Sequence, residues 1–141
     1  MGMRRVAREC ALQMLYEMDV GKHAPGEILK TFWEMNQQPD KVRQFANELF
    51  QGSIAQLQEI DHVIQQHTQN WRLSRMAAVD RNILRLAVYE LMSDWRTPRT
   101  VVINEALEIA KKFSTNESAQ FVNGILDSIK TNLAPATGQE K

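Results

Sequence analysis

The chain has 141 residues, 43% of them hydrophobic and 24% charged, with 17 Lys plus Arg balanced by 17 Asp plus Glu. This length and composition suit one soluble domain, or two small subdomains sharing a core, and exclude a chain-wide attraction for polyanions. No apolar run reaches the roughly 18 to 20 residues of a membrane span. The N-terminus lacks the apolar stretch of a signal peptide, and the single cysteine, Cys10, excludes an internal disulfide. Both features are expected of a protein in the reducing cytoplasm.

In chain order, the spacing predicts helices throughout. Ala7, Cys10, Ala11, Met14, Leu15 and Met18 recur with helical period over residues 7–18. Gly21, Pro25 and Gly26 break that helix. A short second helix over 27–35 carries Ile28, Leu29, Phe32 and Met35, and "NQQPD" ends it. Asp40 is the expected cap of a third helix, with Val42, Phe45, Ala46 and Leu49 inward and Gly52 at its end. A fourth places Ile54, Leu57, Ile60 and Ile64 on one side. After a break at Trp71–Leu73, Ser74 is the expected cap of a long fifth helix. Its Ala77, Val79, Ile83, Leu84, Leu86, Ala87 and Leu91 cover more than one face, marking it as the central helix. Thr97-Pro98 reads either as a cap with proline at the first helical position or as a turn before Thr100. The sixth helix, 102–113, runs through Val102, Ala106, Ile109, Ala110 and Phe113. Ser114 and Glu117 have capping-box spacing for a seventh, built on Ala119, Val122, Ile125, Leu126 and Ile129. The expected fold class is all-α, about seven helices in one domain over residues 1–134. Its subdomains are about 1–52 and 53–134, and 135–141 is a tail.

Chemistry-bearing motifs are missing. His62 and His67 are five apart and point to different helix faces, so they do not pair for a metal. There is no HExxH, CxxC, GxSxG or glycine-rich phosphate loop, and Cys10 lies in an apolar stripe, as a packed thiol would. Neither catalysis nor a cofactor or metal is expected.

Two stretches ask for more than packing. In "RRVARECALQMLY", Arg4, Arg5 and Arg8 stand at a helix N-terminus, where cations oppose the macrodipole by some tenths of a kcal/mol each. Arg4 and Arg8 border the apolar stripe, and Arg5, Leu12 and Tyr16 sit together beyond it. Either a second helix packs there with the arginines snorkelling at its edge, or the guanidinium groups face an anion. Arginine beside an aromatic is also equipment for single-stranded RNA. In "NESAQFVNG", the first turn of the seventh helix offers free N–H groups to a phosphate, while Glu117 repels one. Phe121 falls about 100° off the Val122 stripe, near Gly124, and a flanking core phenylalanine with glycine allowing close helix contact is the simpler arrangement.

"RRVARECALQMLYEMD", "VDRNILRLAVYEL" and "VVINEALEIAKKFSTNESAQFVNGILDSI" together resemble the signature blocks of the transcription antitermination factor NusB family, with Trp71 and Leu73 ahead of the middle block. The resemblance implies an all-helical domain that is no enzyme. It further implies binding of the single-stranded boxA element of nascent RNA, with ribosomal protein S10 as partner. That pair joins an RNA polymerase complex that suppresses premature termination, notably in rRNA operons. Carried onto this sequence, it assigns RNA contact to Arg4, Arg5, Arg8, Gln13, Glu117, Ser118 and Phe121. It places Tyr16 and Asp80 near the junction of RNA and S10, with Arg85 and Glu90 supporting that face. Val6, Ala119 and Gln120 stand where some members are basic or polar, which weakens the basic patch. Some members also form homodimers that bury this surface.

Overall fold

The computed structural model describes residues 2–68, 71–93 and 97–133. These residues form seven α-helices and one 3-10 turn, with no strand among them: α1 (Met3–Gly21), α2 (Pro25–Met35), α3 (Asp40–Ala55), α4 (Leu57–Gln66), the 3-10 turn Leu73–Arg75, α5 (Ala78–Ser93), α6 (Arg99–Phe113) and α7 (Asn116–Asn132). The tail expected from Ala134 lies outside the described residues.

The centre is α5, which touches α1, α3, α4, α6 and α7. Ten of its sixteen residues are buried, including the polar Asp80, Asn82, Arg85 and Glu90, so its many-sided apolar pattern does mark the innermost helix. The α1 helix is held between α3 and α5. Packing from two sides widens its buried stripe beyond one face, and Leu12, which lies beyond the main stripe with Tyr16, is buried with Ala11, Met14 and Leu15, as the alternative of a second packed helix requires. Tyr16 stays 40% exposed.

Several helix ends differ from the sequence expectation, each for a local reason. Gly21 is the last residue of α1, and Lys22 takes the left-handed turn at φ 61°, a conformation more often given to glycine. Pro25, expected as a breaker, opens α2 at its first turn, where its missing N–H costs nothing. Asp40 does not cap α3. It is the first helical residue, after Pro39, and its carboxylate there suits the positive end of the helix dipole. Gly52 does not end α3 but lies inside it, and the Tyr89 side chain occupies the space that a Cβ there would need. The helix continues to Ala55, so the junction expected at residues 52–53 falls within a helix. Ser74 lies in the 3-10 turn, and α5 starts only at Ala78. Arg81 Nη1 donates to the carbonyls of Leu73 (3.2 Å) and Met76 (3.0 Å), satisfying acceptors that a continuous helix would otherwise bond. Pro98 is the N-cap of α6, with Arg99 first in the helix. Thr115, one residue beyond Ser114, caps α7: its Oγ1 accepts the Ser118 N–H at 2.9 Å. Phe113, expected in the core, is 38% exposed at the end of α6.

Candidate nucleic-acid interface

The three arginines of α1 end in three environments. Arg4 is exposed; its Nη1 donates to Thr97 Oγ1 at 3.2 Å, and its guanidinium lies 4.8 Å from the centroid of the Phe45 ring on α3. That contact bounds a cleft of about 310 Å³ lined by Arg4, Lys41, Gln44, Phe45 and Glu48 along with Met3. Arg5, a third exposed, makes a two-pronged ion pair with Glu105 of α6, both bonds at 2.8 Å. The paired Arg5 guanidinium, with burial working against it, holds the Glu105 carboxyl below its ordinary range. Arg8 is buried, and its Nε and Nη2 donate to Glu90 of α5 at 2.7 and 2.9 Å. Glu90 is only 1% exposed. A bidentate pair in that setting holds two helices in register, since neither charge can lose its partner cheaply.

The α1–α5 seam carries a second charged knot at its other end. Asp19 accepts from Arg81 and Asn82 at 2.8 and 2.9 Å, and Arg85 stands 3.2 Å away. Burial opposes ionisation of Asp19, but those donors and the Arg85 and Arg81 charges outweigh it and lower its carboxyl. Arg85 in turn grips Asp61 of α4 with bonds of 2.8 and 2.9 Å. Arg8–Glu90 at one end and Asp19–Arg81 at the other make α1 and α5 antiparallel.

Along its outer side, α1 meets α6. Arg5 pairs with Glu105 and Glu9 with Lys112 at 3.1 Å, so the two helices run the same way. The α6 helix then delivers Phe113 and the turn into α7. There Ser114 Oγ donates to Ser118 Oγ at 2.8 Å, and Ser118 Oγ donates to Asp80 Oδ2 at 3.0 Å. This relay ties the start of α7 to the start of α5. Asp80 is 7% exposed, and its other oxygen has no hydrogen-bond partner among the described residues. Glu117 is exposed in the first turn of α7, and Phe121 is half-buried against the edge of Trp71, with ring centroids 6.4 Å apart. Gln13 and Tyr16 are exposed on α1.

The structure therefore gathers Arg4, Arg5 and Arg8 at one helix end and joins Asp80 to Ser118. It turns Gln13, Tyr16, Glu117 and part of Phe121 toward solvent, while Arg85 and Glu90 lie inside, as supports for other side chains. Sequence spacing missed Glu105 as the partner of Arg5, Phe45 as the ring beneath Arg4, and the exposure of Phe113. For the first two no local signal exists, because the partners are far apart in the chain. Phe113 had a misleading one, the helical period. Cys10 is a packed thiol, pushed up to about 11 by burial and, secondarily, by Glu9. Among the described residues no group of three or more His, Cys, Asp or Glu could hold a metal ion, and no helix is long and apolar enough to cross a membrane.

The fold is thus a helical domain with charged side chains along its first helix and at the start of its last. The sequence profile of the NusB family matches residues 5–131, and the chain belongs to that family, one of transcription antitermination factors and not of enzymes. It is 52% identical over 133 residues to the transcription antitermination protein NusB of Koribacter versatilis strain Ellin345, covering 94% of this chain and 91% of that one. Among solved structures, T. maritima NusB superposes with a TM-score of 0.87 at 36% identity, covering 94% of this chain and 93% of that one. A chain from the crystal structure of the antitermination factors NusB and NusE in complex with dsRNA matches with a TM-score of 0.85 at 30% identity, covering 93% of this chain and 98% of that one.

Proposed function

We propose that the protein binds the single-stranded boxA element of nascent RNA together with ribosomal protein S10, and with it joins the RNA polymerase complex that suppresses termination, notably in rRNA operons. The observation that carries this reading is the row of side chains along α1 and α6 to the start of α7, with Arg4 and the exposed Arg5–Glu105 pair at one end and the Trp71–Phe121 pair at the other. The solved complex of NusB and NusE, the S10 protein, with dsRNA supports S10 as the protein partner and RNA as the class of nucleic acid. Splayed bases of a single strand suit exposed aromatic side chains better than a duplex does, because a duplex hides its base faces.

In this reading Arg4 and Arg5 meet phosphates, Gln13 borders the strand, and Glu117 and Ser118 meet it at the α7 turn. Phe121 stacks on a base. Tyr16 and Asp80 mark the junction with S10. Arg85 and Glu90 hold that face from within, and Arg8 reaches RNA only by leaving Glu90. The work is done in the cytoplasm, where nascent transcripts are.

The test is a titration of boxA-type single-stranded RNA into the protein with S10 over a range of salt. Two phosphate contacts give a slope of log K against log salt near −1.4, and release of Arg8 as a third moves it toward −2. Absence of salt-dependent binding in the presence of S10 overturns the reading. S10 binding that survives without any RNA binding makes the protein a helical adaptor instead. Gel filtration of the protein alone, with each ligand and with both shows in addition whether two copies cover this surface at rest.

A further inference from the structure

Trp71 is 52% exposed, although the backbone that carries it is held on several sides. Its N–H donates to the Thr68 carbonyl at 3.0 Å. Gln65 Nε2 donates to the Trp71 carbonyl at 2.6 Å and to Thr68 Oγ1 at 2.8 Å, while Gln65 Oε1 accepts the Leu73 N–H at 2.9 Å. A fixed backbone that leaves half an indole in water is preorganised for contact, since the ordering entropy is met before a ligand arrives. Burying that ring in the core would be the ordinary use of a tryptophan.

The indole and Phe121 meet edge to face at 78°, and beside them opens a cleft of about 420 Å³. Its other walls are Gln66, His67, Thr68, Ile125 and Ser128. His67 Nδ1 shares a hydrogen bond of 2.7 Å with Ser128 Oγ, which orients the imidazole. No bond to Nε2 or to the Gln66 amide occurs among the described residues, and Gln66 is exposed. Aromatic faces, an unspent amide and an imidazole edge are the equipment for one flat heteroaromatic ring with polar edges.

We propose that this cleft receives one unstacked nucleobase of the RNA, with Trp71 as its stacking face and Gln66 and His67 at its polar edge. The inference rests on the reading of α1 and α7 as an RNA surface and extends it beyond Phe121, to residues between α4 and α5. The continuity is direct, because Phe121 belongs to both.

The experiment compares wild type, Trp71→Ala and Trp71→Phe, each with S10, in titrations with boxA-type single-stranded RNA carrying 2-aminopurine at successive positions. Loss of one stacked base costs about 1–3 kcal/mol, or about 5- to 150-fold in affinity. Trp71→Ala is expected to weaken binding within that range with an unchanged salt slope, since no phosphate contact is removed. Trp71→Phe recovers most of the loss, and 2-aminopurine at one position is quenched only when residue 71 is aromatic. Equal affinity of wild type and Trp71→Ala overturns the inference while leaving the RNA surface intact. Weakened S10 binding by Trp71→Ala without RNA also overturns it, because the cleft would then take a protein side chain. Failure of wild type to bind RNA at all overturns both readings together.

Discussion

The two sides of α1 use the same residue types for opposite ends. On the α5 side, Arg8 and Glu90 are paired almost out of reach of water. On the α6 side, Arg5 and Glu105 form a pair of the same two-pronged geometry with the arginine a third exposed. Desolvation separates them. Inside, neither charge can be released without leaving the other stranded, so the pair fixes helix register. At the edge, water and salt compete for both partners, so the pair is weak and its arginine can be handed to another anion. One helix thus carries a structural charge on one side and exchangeable charges on the other.

The largest effect that would break this contrast is at the seam. Arg8→Ala leaves Glu90 charged and buried, and is expected to lower unfolding stability by about 3–5 kcal/mol, read by urea denaturation. A loss as small as that of an exposed pair would show that the seam and the edge do not differ. A smaller effect sharpens the outer side. Thr115→Ala removes the observed cap of α7 and is expected to cost about 1 kcal/mol, more than Ser114→Ala, which would rank first if Ser114 were the cap.

Smallest in stability is the edge pair itself. Glu105→Gln should change stability by no more than about 1 kcal/mol while freeing Arg5. Under the proposed function, RNA affinity measured at low salt then rises. Its pH signature has a definite sign. The Asp19 and Glu105 carboxyls are both lowered in the folded protein. The stability they contribute is complete above the ordinary carboxyl range near pH 4, and is lost as pH falls through the lowered values. Arg5→Ala lets the Glu105 carboxyl return toward its ordinary value, so this part of the pH-dependent loss disappears and stability falls less steeply with acid than in wild type, as read by urea denaturation at a series of pH values.

The sequence by itself determined the class of fold and much of the core. Periodicity located seven helices because burying one apolar stripe is a local, repeating demand. It singled out α5 as central because its apolar residues lie on several sides. It drew attention to Arg4, Arg5 and Arg8 because cations at a helix N-terminus run against the dipole.

Only the tertiary structure decided what each of those charges does. Arg8 finds Glu90 at 82 residues' separation and Arg5 finds Glu105 at 100, distances over which spacing carries no information. Long-range contacts also explain local features that spacing misread: the Tyr89 hydroxyl from α5 fills the space where a residue-52 side chain would stand, so that glycine is a packing site and not a helix end, and Arg81 claims the carbonyls before α5. Leu12 is inside because α1 has neighbours on two sides, and Phe113 is outside because α6 ends at the surface. A stripe records that a helix has an inner face. How wide that face is, and which charges are shut in with it, depends on the neighbours that pack against it.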